Sequence, residues 1–280
     1  MTTDPSPLRG LGAPVTGGGS GLGLAVADRP AADGAVVTIC GRSEDRLVAA
    51  VASVRDRHPD AQIDHLAADV TDEDAVIAAV RLATERAHGR LGAVVASAGG
   101  SESIGPVTQL EVGAWDRTIA LNLTGTMLAL KHGAATMVRG GGGSFVAISS
   151  IASRTSHPWF GAYGPSKAAI DQLCRQAADE LGPSDVRVNA ICPGLIRTEL
   201  VSFITEGGAV LAFGVVGDDR GRRDRAGALA KRAVTGCARS LVHALAARGV
   251  AAARRHRRAR NRERHRVGDR PRRSLDRVQK

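Results

Sequence analysis

Residues 145–167 read FVAISSIASRTSHPWFGAYGPSK. The segment begins as an apolar run of strand type that ends in Ser149 and Ser150. A loop holding Pro158 and Gly161 follows, and a helix opens at Tyr163. Tyr163 and Lys167 are four apart, so on a helix they share one face about a turn from each other. An ammonium close to a phenol favours the phenolate and draws its pKa down from about 10 towards neutrality. A tyrosine tuned that way can act as general acid or base near pH 7. Ser150, at the strand end, is placed to hold the oxygen to which the proton moves. The chain spends its only tyrosine here.

On either side of this stretch, from residue 11 to 200, short β-type runs alternate with segments of helical period. The strands are APVT (13–16), AVVTIC (35–40), QIDHLAA (62–68), AVVASA (93–98), SFVAISS (144–150) and VRVNAIC (186–192). Between them lie a helix from about Gly21, the segments SEDRLVAAVASVRDRH and TDEDAVIAAVRLATERAHG, a long helix around 111–139 and a helix at 163–181. Thr71 or Asp72 offers the N-cap of the third helix, with acidic residues filling its first turn. Continuous apolar strands alternating with helices predict an α/β fold: a Rossmann-like, doubly wound parallel sheet in three αβα layers. Ligands are then expected at the carboxyl ends of the strands. Two prolines sit awkwardly in this scheme. Pro14 falls inside the first, central strand, where proline removes a ladder donor. Pro30 falls inside the first helix, which is predicted to break or restart near residues 28–31.

The first strand ends in Thr16-Gly17-Gly18-Gly19-Ser20-Gly21-Leu22-Gly23. Glycines there let the backbone turn sharply and approach a pyrophosphate, which sits at the positive N-terminus of the next helix. No Gly-Lys-Ser/Thr follows, which argues against a phosphate-transfer loop. After the second strand, Arg42 stands where an NAD-preferring site would place a carboxylate for the ribose hydroxyls. The planar fork of an arginine suits a 2′-phosphate, so the cofactor expected is NADP, with NAD as the alternative.

Composition bounds the rest. The chain has 280 residues, long enough for a sizeable core, but aromatics are only 2%, so that core must be built from Ala, Val, Leu and Ile. No apolar run reaches the ~18 residues needed to span a membrane, and the N-terminus MTTDPSPLRG lacks a charged-then-apolar signal pattern. Cys40, Cys174, Cys192 and Cys237 have no metal-type spacing and read as reduced thiols of a cytoplasmic protein with no metal.

Taken together, these residues resemble the short-chain dehydrogenase/reductase family, in its 3-oxoacyl-carrier-protein-reductase-like branch. The resemblance rests on TGGGSGLG at 16–23, Asp69-Val70 after the third strand, Ala98-Gly99 after the fourth and Asn122 in LNLTG. It rests further on Ser150 in ISS, YGPSK at 163–167, and Pro193-Gly194 followed by Thr198. It covers about residues 11–205. It implies hydride transfer between nicotinamide and a carbonyl or alcohol carbon, on a ketone, alcohol or 3-oxoacyl substrate. Tyr163 would be the general acid/base, and Lys167 would lower its pKa and bind the nicotinamide ribose. Ser150 would orient the substrate oxygen, and Asn122 would hold a proton-relaying water. Thr16, Gly17, Ser20, Gly21, Leu22 and Gly23 would cradle the pyrophosphate, and Asp69 and Val70 would frame the adenine. Pro193, Gly194 and Thr198 would contact the nicotinamide end. The substrate rim is expected at 157–160 and 199–213. Where the family usually has Asn-Asn-Ala-Gly the chain has Ala96-Ser97-Ala98-Gly99, so Ser97 is expected to take over hydrogen bonding between strands.

The C-terminus is a different material. Residues 1–200 carry 17 Lys and Arg against 21 Asp and Glu, a balance of −4; residues 201–280 carry 21 against 7, a balance of +14. The family's usual last strand has no counterpart there. Runs such as ARRHRRARNRERHR are what a GC-rich gene yields when read in a shifted frame. Three parts are therefore read: an N-terminal extension (1–10), a catalytic domain (11–208) and an Arg-rich segment (209–280) taken as a frameshift product, partly disordered or irregularly helical. Translation of the coding DNA in the other two frames tests this, and no family-like ending there would overturn it. The alternative is a basic appendage for anionic partners on a catalytically impaired relative. Beyond Phe213 the tail lacks aromatics for base stacking, so no specific nucleic acid is expected. The family implies a homo-oligomer, which the altered end puts in question.

Overall fold

Six apolar runs form six parallel strands in a computed structural model of the chain, which describes residues 8–194. The expectations placed on Thr198, residues 199–213, the last strand and the segment from 209 lie outside the described residues. The strands are β1 (Gly12–Thr16), β2 (Val36–Gly41), β3 (Ile63–Ala67), β4 (Ala93–Ala96), β5 (Gly143–Ile148) and β6 (Val186–Ile191). They lie in the order β3-β2-β1-β4-β5-β6. Parallel neighbours need crossover connections, supplied by α1 (Gly21–Ala32), α2 (Glu44–Arg57), α3 (Glu73–Arg86), α4 (Val112–Ile119), α5 (Gly125–Arg139) and α6 (Tyr163–Leu181). The winding reverses between β1 and β4, so a crevice opens outside the carboxyl ends of these two strands.

Residues of alternate parity on each strand serve opposite faces. On β5, Val146 and Ile148 join Val15, Val37, Ile39, Leu47 and Val54 in one core. Phe145 and Ala147 join Val94, Met137, Ile170 and Val186 in the other. The helical layers are thus packed by small aliphatic residues, with Phe145 the largest fully buried side chain. Asp72, rather than Thr71, caps α3, accepting from the amides of Asp74 and Ala75.

The two prolines are absorbed differently from expectation. The break predicted near 28–31 does not occur: α1 runs through Pro30 to Ala32. Pro30 lies in the last turn, where its missing N–H removes one donor, and its buried ring and a carbonyl accepting from Ala35 N at 2.9 Å close the helix onto β2. Pro14 remains inside β1, which pairs with β2 without interruption. On the other side Gly12 faces Leu91 while Val15 faces Val95, so β4 takes one extra residue opposite the proline. The ladder skips the position where a donor is missing.

The helix expected around 111–139 is interrupted as a hydrogen-bonding pattern though not as a rod. A π turn, Ala120–Thr124, joins α4 to α5 and contains Asn122. The cross-strand role expected of Ser97 is carried by backbone: the Ser97 and Ala98 amides donate to Thr16 Oγ1 at 3.0 and 3.1 Å.

Candidate active site

The strand-to-helix stretch that follows β5 delivers the catalytic candidates. Ser150 is extended, and its Oγ accepts from Ala152 N at 3.1 Å, starting the tight turn Ile151–Ser153. Tyr163 opens α6, with its amide on the Phe160 carbonyl at 2.9 Å and its ring edge-on to Phe160 at 6.2 Å. Its hydroxyl lies close enough to the Ser150 side chain for Ser150 to oppose the effect of burial on it. One turn on, Lys167 is 4% exposed; its Nζ donates to the Ile148 carbonyl at 2.8 Å and lies 5.6 Å from the Tyr163 ring centre.

The electrostatics differ from the expectation at Tyr163. Burial raises its pKa, and Ser150 offsets only part of that. The neighbouring lysine does not lower it. The reason is desolvation: a phenolate in this half-buried pocket loses water, and the Lys167 ammonium is spent on a backbone carbonyl. Lys167 itself is pulled down to about 8 by burial, against which the negative charge of Asp171 acts foremost.

Asn122 is fully buried in the π turn. Its Oδ1 accepts from Gly100 N and its Nδ2 donates to Gly100 O and Ser166 Oγ, each at 2.9 Å. Ser166 Oγ in turn donates to the Tyr163 carbonyl at 2.7 Å. The loop after β4 is thereby fastened to α6. Within that loop a Cβ on Gly99 would meet Asn122 Oδ1 at 2.9 Å and Lys167 Nζ at 3.2 Å, so Gly99 borders the lysine with no side chain in the way.

At the end of β1, Gly17 has φ +67° and a Cβ there would press on Ala98 N at 2.8 Å. A Cβ on Gly23 would fall on the Gly17 carbonyl oxygen. Both glycines are therefore steric requirements of the turn. Ser20 makes no side-chain cap and no acidic residue occupies the first turn of α1, so its positive end is not neutralised from within. Gly21 and Leu22 are the first residues of that helix.

Arg42 is exposed just past β2. It acts electrostatically on Asp69, whose carboxyl is held below the usual range first by the Thr71 amide, then by the Thr71 hydroxyl and Arg42, against its partial burial. Val70 is buried beneath Gly125, where a Cβ would meet Val70 Cγ2 at 2.7 Å. Pro193 O accepts from Ile151 N at 2.9 Å, which sets Pro193-Gly194 beside the Ser150 turn. At the expected rim, Gly105 N donates to Trp159 O at 2.9 Å, joining the loop after β4 to the loop before α6.

The structure thus gathers Thr16, the glycine turn, Ala98, Gly99, Asn122, Ser150, Tyr163, Lys167 and Pro193 around one crevice. Arg42, Asp69 and Val70 lie at the ends of the adjoining strands β2 and β3. Sequence reasoning missed Ser153, Ser166 and Asp171. Asp171 had a local signal, the same four-residue interval beyond Lys167, and Ser166 lies within the YGPSK motif; Ser153 had none.

Comparison with known proteins agrees with this geometry. A family model described as short chain dehydrogenase matches residues 12–209. Dehydrogenase/reductase SDR family member 4 of Bos taurus is 34% identical over 203 residues, covering 72% of this chain and 71% of the relative. Levodione reductase of Leifsonia aquatica is 35% identical over 187 residues, covering 67% of this chain and 70% of the relative. The solved structure of a short-chain type dehydrogenase/reductase from Mycobacterium ulcerans is 54% identical and covers 71% of this chain and 72% of its own, with a TM-score of 0.69. None of these three is named as a 3-oxoacyl-carrier-protein reductase.

Proposed function

The chain belongs to the short-chain dehydrogenase family, and on that premise we propose how its residues divide the work. It is an NAD(P)-dependent oxidoreductase acting on a small-molecule alcohol or carbonyl. The turn fits the diphosphate of a nicotinamide dinucleotide, because Gly17 and Gly23 let the backbone fold tightly at the start of α1, whose positive end no acidic side chain neutralises. When bound, the cofactor supplies or accepts a hydride at its nicotinamide carbon.

In this reading Thr16, Gly17, Ser20, Gly21, Leu22 and Gly23 hold the diphosphate at the start of α1. Arg42 takes the 2′-phosphate, which makes NADP the preferred cofactor over NAD. Asp69 and Val70 frame the adenine. Ala98, Gly99, Asn122, Tyr163 and Lys167 border the nicotinamide ribose, and Pro193, Gly194 and Thr198 the nicotinamide.

Ser150 donates a hydrogen bond to the substrate oxygen. Tyr163, kept protonated by burial, gives its proton to that oxygen when a carbonyl is reduced and takes it back when an alcohol is oxidised. Lys167 carries the positive charge that steadies the phenolate left behind. Asn122 holds the loop and helix that frame these groups. No helix among the described residues is long and apolar enough to cross a membrane; with Cys40, Cys174 and Cys192 free, we assign the protein to the cytoplasm.

The observation that carries the reading is buried Lys167 one turn from Tyr163, its Nζ 5.6 Å from the ring centre and on the carbonyl of Ile148, two residues before Ser150. Titration with NADPH and NADH, read by cofactor fluorescence and followed by a panel of ketones and alcohols, tests it. Tighter binding of NADPH is expected. Tyr163→Phe should bind it equally well and lose about 10²–10⁴ in kcat, the usual contribution of general acid–base catalysis. Full activity in Tyr163→Phe would overturn the assignment.

A further inference from the structure

Helix α6 carries a third polar side chain in line with Tyr163 and Lys167. Asp171 stands one further turn along and is only 5% exposed. A buried carboxylate is costly unless it is hydrogen-bonded, and this one is satisfied from two segments outside its helix. Ser153 Oγ lies 2.8 Å from Asp171 Oδ2 and 2.7 Å from the Ser150 carbonyl oxygen, so it bridges the helix and the turn behind Ser150. Arg154 Nε donates to the same Oδ2 at 3.2 Å. From the end of β6, Cys192 Sγ approaches the two carboxylate oxygens at 3.6 and 3.7 Å. Cys192 precedes Pro193, whose carbonyl accepts from Ile151 N. Ser149, whose Oγ is 3.2 Å from the Lys167 carbonyl oxygen, also lies against the carboxylate.

One buried carboxylate therefore ties together the segments that bear Ser150, Lys167 and Pro193. We propose that Asp171 is a positioning residue of this active site, holding the Ser150 turn against α6 and keeping Lys167 in its charged form. The inference rests on the reading of Tyr163 and Lys167 as the proton-transfer pair.

The groups that face these two charges are few. Lys167 is bordered by Tyr163 and Asp171 on its own helix, Cys192 from β6, the Ile148 carbonyl from β5 and Asn122 from the π turn. Asp171 is bordered by Lys167, Cys174, Cys192 and Arg154. Burial pulls Lys167 down to about 8, and Asp171 is the foremost group opposing that loss of charge. Burial would raise the Asp171 carboxyl, but hydrogen bonds from Ser149, Ser153 and Arg154 outweigh it and hold the group below the ordinary range. It is ionised wherever Lys167 needs it. Arg154, with its side chain 58% exposed, moderates the same carboxylate from the solvent side.

The chain has four lysines, Lys131, Lys167, Lys231 and Lys280. Protein carrying ¹³C at the lysine Cε therefore gives few enough signals for Lys167 to be titrated directly, with Lys167→Met identifying its resonance. The wild type is expected to show an inflection near 8. In Asp171→Asn it should move to lower pH, and the alkaline limb of kcat/KM should move with it. Ser153→Ala should lower kcat while leaving the inflection in place. Arg154→Gln, a change at an exposed side chain, strengthens the field of Asp171 on Lys167 and should move the inflection to higher pH. An unmoved inflection in both Asp171→Asn and Arg154→Gln overturns the proposal; a loss of melting temperature alone would then mark Asp171 as a structural brace. If Asp171→Asn does not fold, Arg154→Gln decides by itself. The NMR titration needs no turnover, so a chain without activity would refute the proposed function and still settle this point.

Discussion

Asn122 grips Gly100 through both ends of its amide, accepting the Gly100 N–H at Oδ1 and donating to the Gly100 carbonyl from Nδ2, each at 2.9 Å. The π turn makes this reach possible, and the second Nδ2 proton goes to Ser166 on α6. Asn122→Ala leaves these buried partners unmet, and unfolding in urea should show a loss of about 2–3 kcal/mol. Asn122→Asp keeps the acceptor for Gly100 N but sets a carboxylate against the Gly100 carbonyl, and should be no better tolerated. A loss below about 0.5 kcal/mol in both would mean that the pairing is not made in solution.

Gly23 is confined by the Gly17 carbonyl, on which a Cβ would land. The glycine turn in Gly23→Ala must shift, so NADPH affinity should fall at least about tenfold, with a stability loss on the order of 1–3 kcal/mol from overpacking. Isothermal titration and thermal unfolding read the two effects. Unchanged affinity would show that the diphosphate is held elsewhere.

Arg42 separates the two cofactors. Loss of a charge-assisted contact costs about 1.5–3 kcal/mol, so Arg42→Ala should weaken NADPH by roughly tenfold or more and leave NADH nearly untouched. Equal weakening of both would remove the argument for NADP.

Buried Lys167 makes stability depend on pH with a definite sign. Its folded pKa of about 8 lies below the unfolded value of ~10.4. Between these values the unfolded chain binds more protons, so this residue's contribution to stability rises with pH through that window, by up to about 3 kcal/mol. Cys40 and Cys174, both pushed up to about 12 by burial, act in the opposite sense above about 8.5, because their unfolded thiols ionise first. The lysine is isolated by difference: the stability of wild type relative to Lys167→Met should increase from pH 7.5 to 10. A flat difference would contradict the burial of Lys167.

The same two thiols should resist alkylation in the folded protein, since the thiolate is the reactive species and burial suppresses it. Brief iodoacetamide treatment followed by peptide mass spectrometry should leave Cys40 and Cys174 unmodified until denaturant is added. Rapid native labelling of either would mean that its core opens readily.

The alternation of apolar strand runs and helical segments was enough to place all six described strands to within two residues and α6 at its observed bounds, Tyr163–Leu181. Burial writes itself into local period: apolar runs of four to six residues alternating with helical segments fit strands covered on both faces in a parallel sheet between helices. Motif spacing also named the residues around the crevice, because Ser150, Tyr163 and Lys167 lie on one strand-to-helix connection.

What local pattern could not carry was the environment of those residues. Pro30 stays within α1, its ring buried and its carbonyl accepting from Ala35 N, and Pro14 was accommodated by a register change in β4, a partner about 80 residues away. Tyr163 was expected to be drawn towards ionisation by its neighbour, yet burial pushes it the other way. Asn122 meets Gly100 and Ser166, and Asp171 meets Ser153 and Cys192, across separations of 18 to 44 residues. Sequence period determined which side chains face inward. Only the folded chain decided which polar groups meet there and how much water they keep, because desolvation and hydrogen bonding depend on neighbours brought from distant parts of the chain.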